Sequence, residues 1–325
     1  MNVNSLIVDE TSLLCDEKEL CLVCNNPSLE KLLTGYSRYV KKLFYKVAIC
    51  ESCGHVQISP VFGVSQYKLI NDDYFNAIYL PNGQQNEIGN EKKSTLLRSR
   101  LSKYLMAGKR VLDVGAGEGW AMNEVMGQGC SYYAIESLSR LAESITERGG
   151  HVIGSSLELD YSNYESSFDI IIFRHILEHL VEPKKSLLIL KKLLSVNGII
   201  YLALPNAEKP TSKKGFRTSF IRPVHISYFC PENVSRLVNS VGLKAFNMDS
   251  TGEIFCLLKH GDILFNDTNN SYEKIKSLYQ IEMKKSLKKD FLKILRDITS
   301  IVLFAIKKKL TTKININKNG QSNNA

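Results

Sequence analysis

No apolar run near either terminus is longer than Ile301–Ile306, far below the ~20 residues that span a bilayer. The opening stretch, MNVNSLIVDETSLLCDEKEL, lacks the basic start and apolar core of a secretory leader. The chain is therefore expected to be cytoplasmic. No fixed-period repeat runs through its 325 residues. Hydrophobic residues at 44% and charged residues at 23% match globular averages and exclude a disordered or collagen-like chain. An excess of charge is also missing from most of the chain. The first 270 residues carry 29 basic and 29 acidic side chains, so all of the net +9 lies in residues 271–325, with 13 Lys or Arg against 4 acids. A body that grips nucleic acid usually carries its own positive excess, so nucleic acid is not the expected partner.

Disulfides are disfavoured in a cytosolic chain. Four of the eight cysteines form the pairs Cys21-x-x-Cys24 and Cys50-x-x-Cys53, with 25 residues between them. Paired spacing of this kind supplies four thiolates to one tetrahedral, closed, structural Zn2+. Such a site would contribute about 10–16 kcal/mol of folding energy to a module too small to bury a core. A four-thiolate site leaves His55 no place. Tyr36–Ile49 is rich in aromatic and branched residues and suits a small β-rich knuckle. Pro60 and Gly63 close it. A polar connector follows, with Tyr67, Tyr74, Phe75 and Tyr79, then a turn at Pro81–Gly83.

From residue 91 the pattern alternates. Helices are expected over Glu91–Met106, Trp120–Met126, Leu138–Arg148, Pro183–Leu194 and Pro231–Val241. Strands are expected over Arg110–Val114, Ser131–Glu136, His151–Ile153, Phe168–Phe173, Ile199–Leu204, Lys244–Met248 and Glu253–Leu258. Only Asp249–Gly252 joins the last two, and so short a link demands an antiparallel pair. The fold class is α/β: a doubly wound, mainly parallel seven-stranded sheet with a C-terminal antiparallel hairpin, plus an N-terminal zinc knuckle and a basic helical tail. The expected divisions are 1–63, 64–90, 91–265 and 266–325.

The sharpest local signal is Val111-Leu112-Asp113-Val114-Gly115-Ala116-Gly117-Glu118-Gly119-Trp120, where a strand turns into a helix. Its spacing is G-x-G-x-G. The dinucleotide fingerprint would need glycine where Trp120 stands, and the lysine of a P-loop is absent. Glu136 ends the next strand, where a carboxylate accepts both hydroxyls of a ribose and rejects a 2′-phosphate. Together they describe an adenosine-type ligand without a pyrophosphate. Arg174-His175-Ile176-Leu177-Glu178-His179 follows the fourth strand, at the sheet edge where α/β ligands bind. A helical turn there would put His175 and His179 on one face. His225, after the fifth strand, is placed to close over the same mouth, and histidine is the usual general base near neutrality.

VLDVGAGEG, Glu136, FDIIIF followed by HILEHL, and LALPN together resemble the class I S-adenosylmethionine-dependent methyltransferases over residues 91–260. The resemblance implies that Asp113, Gly115, Gly117 and Gly119 line the methionine part of S-adenosyl-L-methionine. It implies that Glu136 holds the ribose and that Ser156 stands near the adenine. It places base and acceptor orientation on His225, His179, Glu178 and His175. Some relatives, the small-RNA 2′-O-methyltransferases and ubiquinone-pathway O-methyltransferases, hold a divalent metal with E-x-x-E-H at this position, and here His175 replaces the first Glu. The knuckle CLVC…CESCGHVQISP ahead of such a domain resembles deoxysugar C-methyltransferases and bacterial surface-polysaccharide methyltransferases. That resemblance implies a sugar, nucleotide-sugar or lipid-linked glycan acceptor. Lys209, Lys213, Lys214, Arg217 and Arg222, against Glu208 alone, suit a phosphate-bearing acceptor. The alternatives are an RNA methyltransferase with a zinc module and a non-catalytic interaction protein. In the tail, Phe291, Leu292, Ile294, Leu295, Ile298, Ile301, Val302, Phe304 and Ala305 form an apolar face bracketed by lysines, the pattern of a helix drawn to an anionic membrane. Asn315–Ala325 has the composition of a disordered end.

Overall fold

The computed structural model describes residues 19–37, 44–63, 65–71, 87–211, 213–263 and 270–321, with side chains from 90 to 300 in the later part. The Tyr74, Phe75 and Tyr79 cluster, the Pro81–Gly83 turn, most of the N-terminal lead and the side chains from Ile301 onward lie outside that description. Strands β4 (Arg110–Val114), β5 (Ser131–Ile135), β6 (His151–Gly154), β7 (Phe168–Arg174) and β8 (Leu194–Leu204) run parallel. β10 (Leu243–Asp249) and β11 (Ile254–His260) close the sheet as an antiparallel hairpin, in the order β10-β11-β8-β7-β4-β5-β6. The seven expected strands all form, and the hairpin has the direction that its short link demands.

Alternation along β7 shows why the sheet is apolar on both sides. Ile171 and Phe173 pack on the face covered by helices α4 (Pro183–Leu193) and α5 (Pro231–Ser240). Ile170 and Ile172 pack on the opposite face, with α1 (Glu87–Leu101) and α2 (Met122–Gly127). A strand buried on both faces needs such an unbroken run. Helix α3 (Ser139–Glu147) connects β5 to β6. Two boundaries differ clearly from expectation. The helix expected over Glu91–Met106 runs from Glu87 to Leu101, and β8 begins at Leu194 and not at Ile199, so that Asn197-Gly198 lies inside it, where the partner register jumps from Leu194 to Ile199. The extra residues bulge outward, and the strand starts directly after α4.

The cysteine-bearing segment builds a second sheet from β1 (Leu29–Tyr36), β2 (Phe44–Cys50) and β3 (Val56–Ile58). Its fourth strand comes from far along the chain. β9 (Ser227–Tyr228) pairs with β3, with Val56 opposite Tyr228 and Gln57 opposite Ser227. The segment drawn as a separate unit over residues 1–63 therefore shares backbone pairing with the α/β body. It also shares its core, since Cys21, Val23, Cys50 and Cys53 pack in one cluster with Leu112, Phe173 and Leu202.

Helix α6 (Tyr272–Gln321) runs through the first part of the stretch read as disordered, because extending a helix is easy once a packed segment has nucleated it. Its start lies against the knuckle. Among the described residues no helix is long and apolar enough to cross a membrane. Gly54 marks the contact: its φ is +72°, and a Cβ there would stand 2.5 Å from backbone atoms of Ser271 and Tyr272.

Gly54→Ala should therefore lose about 1–2 kcal/mol from the left-handed backbone alone, and more from the clash. Gly63→Ala, where the nearest atom is 3.8 Å from the added Cβ, should leave the melting temperature unchanged. Thermal unfolding of both variants checks this, and equal melting temperatures would contradict it.

Candidate active site

The glycine loop leaves the C-terminal end of β4 in left-handed turns, with φ of +70° at Gly115, +57° at Gly117 and +66° at Gly119. A Cβ at Gly117 would meet nothing within 4 Å, so the loop opens onto a cradle. Glu136 sits below it, 6% exposed. Its carboxylate accepts the Gly117 N–H at 2.7 Å and the Leu138 N–H at 2.9 Å. The same carboxylate is thus fixed at the rim, with lone pairs left for a ligand's hydroxyls. Asp113 lies beneath, fully buried, and accepts the Tyr132 hydroxyl at 2.7 Å. Burial still pushes its carboxyl up to about 7. Ser156 stands just past β6, whose Gly154 carbonyl accepts the Glu136 N–H. Its Oγ accepts the Glu158 N–H at 3.2 Å and keeps its own proton to donate.

The turn after β7 touches this loop. A Cβ at Gly115 would collide with Ile176, so the two segments are in van der Waals contact. The expected helical turn is instead a short 3-10 turn over Leu177–His179, with His175 ahead of it at φ +55°. The structure therefore separates His175 from His179. His175 Nε2 lies 2.9 Å from Glu253 Oε2 and its Nδ1 lies 3.4 Å from Glu178 Oε1. Burial lowers the pKa of this histidine, but the two carboxylates outweigh it and raise the value. His179 pairs with His225 instead, their rings edge to face at 4.9 Å. His179 Nδ1 must donate to the Val224 carbonyl at 2.8 Å, since a carbonyl only accepts. The lone pair is therefore on Nε2, 3.9 Å from Glu178 Oε1.

Burial depresses the pKa of both His179 and His225; His175 and Arg222 add to the effect on His179, and His179 adds to the effect on His225. Both are neutral near pH 7. Glu178 is 2% exposed, and among the described residues no well-aligned hydrogen bond reaches either of its oxygens; His175 Nδ1 lies 3.4 Å away. Burial raises its pKa, but the adjacent His175 ring and the positive charge that the histidines carry once protonated outweigh this and hold it at about 2. A buried, ionised carboxylate beside two neutral imidazoles is set to stabilise a positive charge that arrives between them. One donor atom from each of Glu178, His179 and His225 lies within 4.8 Å of the others, so the three could also hold a cation.

Two parts of the site were not foreseen. Glu253 accepts from Arg100 at 2.9 Å, Arg174 at 2.8 Å and His175, and they hold its pKa at about 2 against burial. A signal existed: in an antiparallel strand beside β8, the first residue lies at the C-terminal edge of the parallel strands. Tyr67 donates its hydroxyl to the Val224 carbonyl at 2.7 Å, next to His225. The basic loop serves the fold in part, since Arg217 donates to the Thr34 carbonyl at 2.8 Å and Arg222 to the Ser219 carbonyl at 3.1 Å.

The four paired cysteines meet as expected. Sγ atoms of Cys21 and Cys53, and of Cys24 and Cys50, lie 3.6 Å apart, and all four atoms fall within 4.8 Å of one another. A disulfide would bring two sulfurs to about 2.05 Å. Four sulfurs each about 2.3 Å from a common centre lie about 3.8 Å apart, so the donor set fits a tetrahedral zinc ion. Each pair is followed by a left-handed residue, Asn25 at φ +59° and Gly54 at +72°, whose N–H donates at 2.8 Å to the carbonyl of the first cysteine. Asn and Gly after the second cysteine were the unread signature of this doubled knuckle. His55 is not a ligand. It is buried, with Nε2 3.2 Å from Ser227 Oγ.

Residues 89–246 match the family described as a methyltransferase domain. Among curated proteins, the chain is 23% identical over 209 residues to the ubiquinone biosynthesis O-methyltransferase of Rickettsia conorii, over 63% of this chain and 65% of that one. It is 24% identical to the protein of the same name from Methylocella silvestris, over 54% of this chain and 73% of that one. The chain thus spans about two thirds of the length of these relatives. Among solved structures, the 1,6-didemethyltoxoflavin N1-methyltransferase of Burkholderia thailandensis aligns over 64% of this chain and 96% of its own, at 16% identity and a TM-score of 0.49.

Tyr132→Phe removes the one hydroxyl that donates to Asp113 and leaves the ring in place. Losing a hydrogen bond to the charged form should raise the Asp113 pKa by about one to two pH units. Carboxyl carbon NMR across a pH titration reads this directly, and an unchanged midpoint would contradict the geometry.

Proposed function

We propose, from the match of residues 89–246 to a methyltransferase domain, that the protein is an S-adenosylmethionine-dependent methyltransferase that methylates a hydroxyl of a sugar, nucleotide-sugar or surface-glycan precursor. The observation that carries O-methylation is the Glu178–His179–His225 group next to the glycine loop. Bound S-adenosylmethionine supplies an electrophilic methyl on a sulfonium. Attack by a hydroxyl oxygen forms the new C–O bond as the methyl–sulfur bond breaks, and the hydroxyl proton needs an acceptor. Neutral imidazoles at His179 and His225 take it, and the ionised Glu178 stabilises the imidazolium. In-line placement supplies most of the remaining acceleration. Glu136 accepts from the ribose hydroxyls, while Gly117 leaves space for the methionine part. His175, held between Glu178 and Glu253, fixes the floor of the acceptor side. Cys21, Cys24, Cys50 and Cys53 hold a structural Zn2+ that supports the His225 segment through β3 and β9.

The sugar class rests on the combination of a four-cysteine knuckle with this domain. The relatives named for ubiquinone biosynthesis favour a second reading, a phenolic hydroxyl, served by the same base group.

Labelled methyl transfer to a panel of nucleotide sugars and catechols separates the two readings. His225→Ala should lower kcat by about 10²- to 10⁴-fold, with donor affinity unchanged. Glu136→Gln should weaken donor binding by about 10- to 150-fold and leave the pH profile alone. The base group works unprotonated and its histidines have depressed pKa values, so activity should persist as pH falls to 6.5 and be lost only below it. Transfer by His225→Ala at the wild-type rate would overturn the proton-acceptor role.

A further inference from the structure

Helix α6 sorts the charges of the tail. Residues 271–325 hold only four acids, Glu273, Glu282, Asp290 and Asp297. Three of them face the body: Glu282 is 8% exposed, Asp290 2% and Asp297 7%. Asp290 accepts the N–H groups of Arg217 and Thr218 at 3.1 and 3.2 Å, and the Thr218 hydroxyl at 2.7 Å. Ile275, Tyr279 and Ser286 complete this docked stripe, each fully buried. Docking therefore consumes three of the four acids and leaves Glu273 exposed. The opposite face keeps cations and apolar side chains. Leu287 is 63% exposed, Phe291 61%, Leu295 45% and Ile298 45%, on one side of the helix at spacings of four, four and three. Lys284 and Lys288 are exposed on the same side.

We propose that this outward face of α6 binds an anionic lipid surface while the helix stays docked. Charge complementarity selects the occupant. A second copy of the chain would set a face carrying Lys284 and Lys288, with Glu273 as its one acid, against an equally cationic face. An RNA strand would answer the lysines but would leave Leu287 and Phe291 in water. A lipid interface takes both, since its headgroups are anionic and its acyl boundary accepts the apolar groups. The backbone continues as a helix past Ser300. The inference does not depend on the methylation reading.

The test uses the full chain and flotation with vesicles of phosphatidylcholine alone and of equimolar phosphatidylcholine and phosphatidylserine. Wild type should float with the anionic vesicles at low salt and not with the neutral ones. The double variant Phe291→Ser, Leu295→Ser alters exposed groups only and should keep the wild-type melting temperature. It should bind the anionic vesicles at least about tenfold more weakly. Lys284→Gln with Lys288→Gln should also weaken binding, and a hydrophobic-only contact would not respond. Four results would overturn the proposal: wild type that does not float, equal flotation of the serine variant, a wild-type dimer that the serine variant converts to monomer, or an RNA gel shift with no vesicle binding.

Discussion

The pairing of β3 with β9 ties the cysteine knuckle, the connector and the turn after β7 to one short stretch of chain. The Val224 carbonyl accepts from both Tyr67 and His179. The Ile226 carbonyl accepts the Ile58 N–H at 2.9 Å, and Val56 and Gln57 stand opposite Tyr228 and Ser227. Behind them, Asn233 donates to the Cys53 carbonyl at 2.9 Å. His225 lies inside this web. A buried backbone group must find a partner or pay its desolvation, so the segment that carries His225 can hold its shape only while β3 is formed. Three residues of β3 cannot sustain a strand alone. The cysteine turn ahead of β1 and the one between β2 and β3 supply the anchoring, and a metal bound there would convert its binding energy into order at a site far along the chain.

Charge is managed differently on the two sides of the mouth. On the donor side, Glu136 is satisfied by backbone N–H groups of the glycine loop and the chain after β5, while Asp113 is buried deeply enough to titrate near neutrality. On the acceptor side, Glu253 is surrounded by Arg100, Arg174 and His175, so its one negative charge is more than offset. Glu178 is the exception: ionised, buried and, among the described residues, without a well-aligned hydrogen bond to either oxygen. The proposed proton-acceptor role of His179 and His225 rests on that imbalance.

Local chemistry made the sheet legible from the sequence. FDIIIF can only be a strand buried on both sides, the four-residue link before Glu253 admits only a hairpin, and three glycines after VLDV mark the loop. Pairings between distant residues were not legible. Glu253 meets His175 across 78 positions, and β9 is a two-residue strand with no periodicity to detect. The docked side of the tail was not legible either, for a physical reason. Its docked stripe includes Ser286, Asp290 and Asp297, polar groups satisfied by the loop at 215–220 and by Tyr36, while its more apolar side faces outward. Hydrophobic periodicity identifies the face most in need of cover, which here is not the face that the body covers.

Hydrogen exchange on a Cys50→Ser variant tests the link between knuckle and site most directly. The account predicts that amides of residues 224–229 lose protection together with those of residues 44–58, while β4 and the glycine loop to Gly119 exchange as in the wild type. Wild-type protection over residues 224–229, with the loss confined to the knuckle, would contradict it.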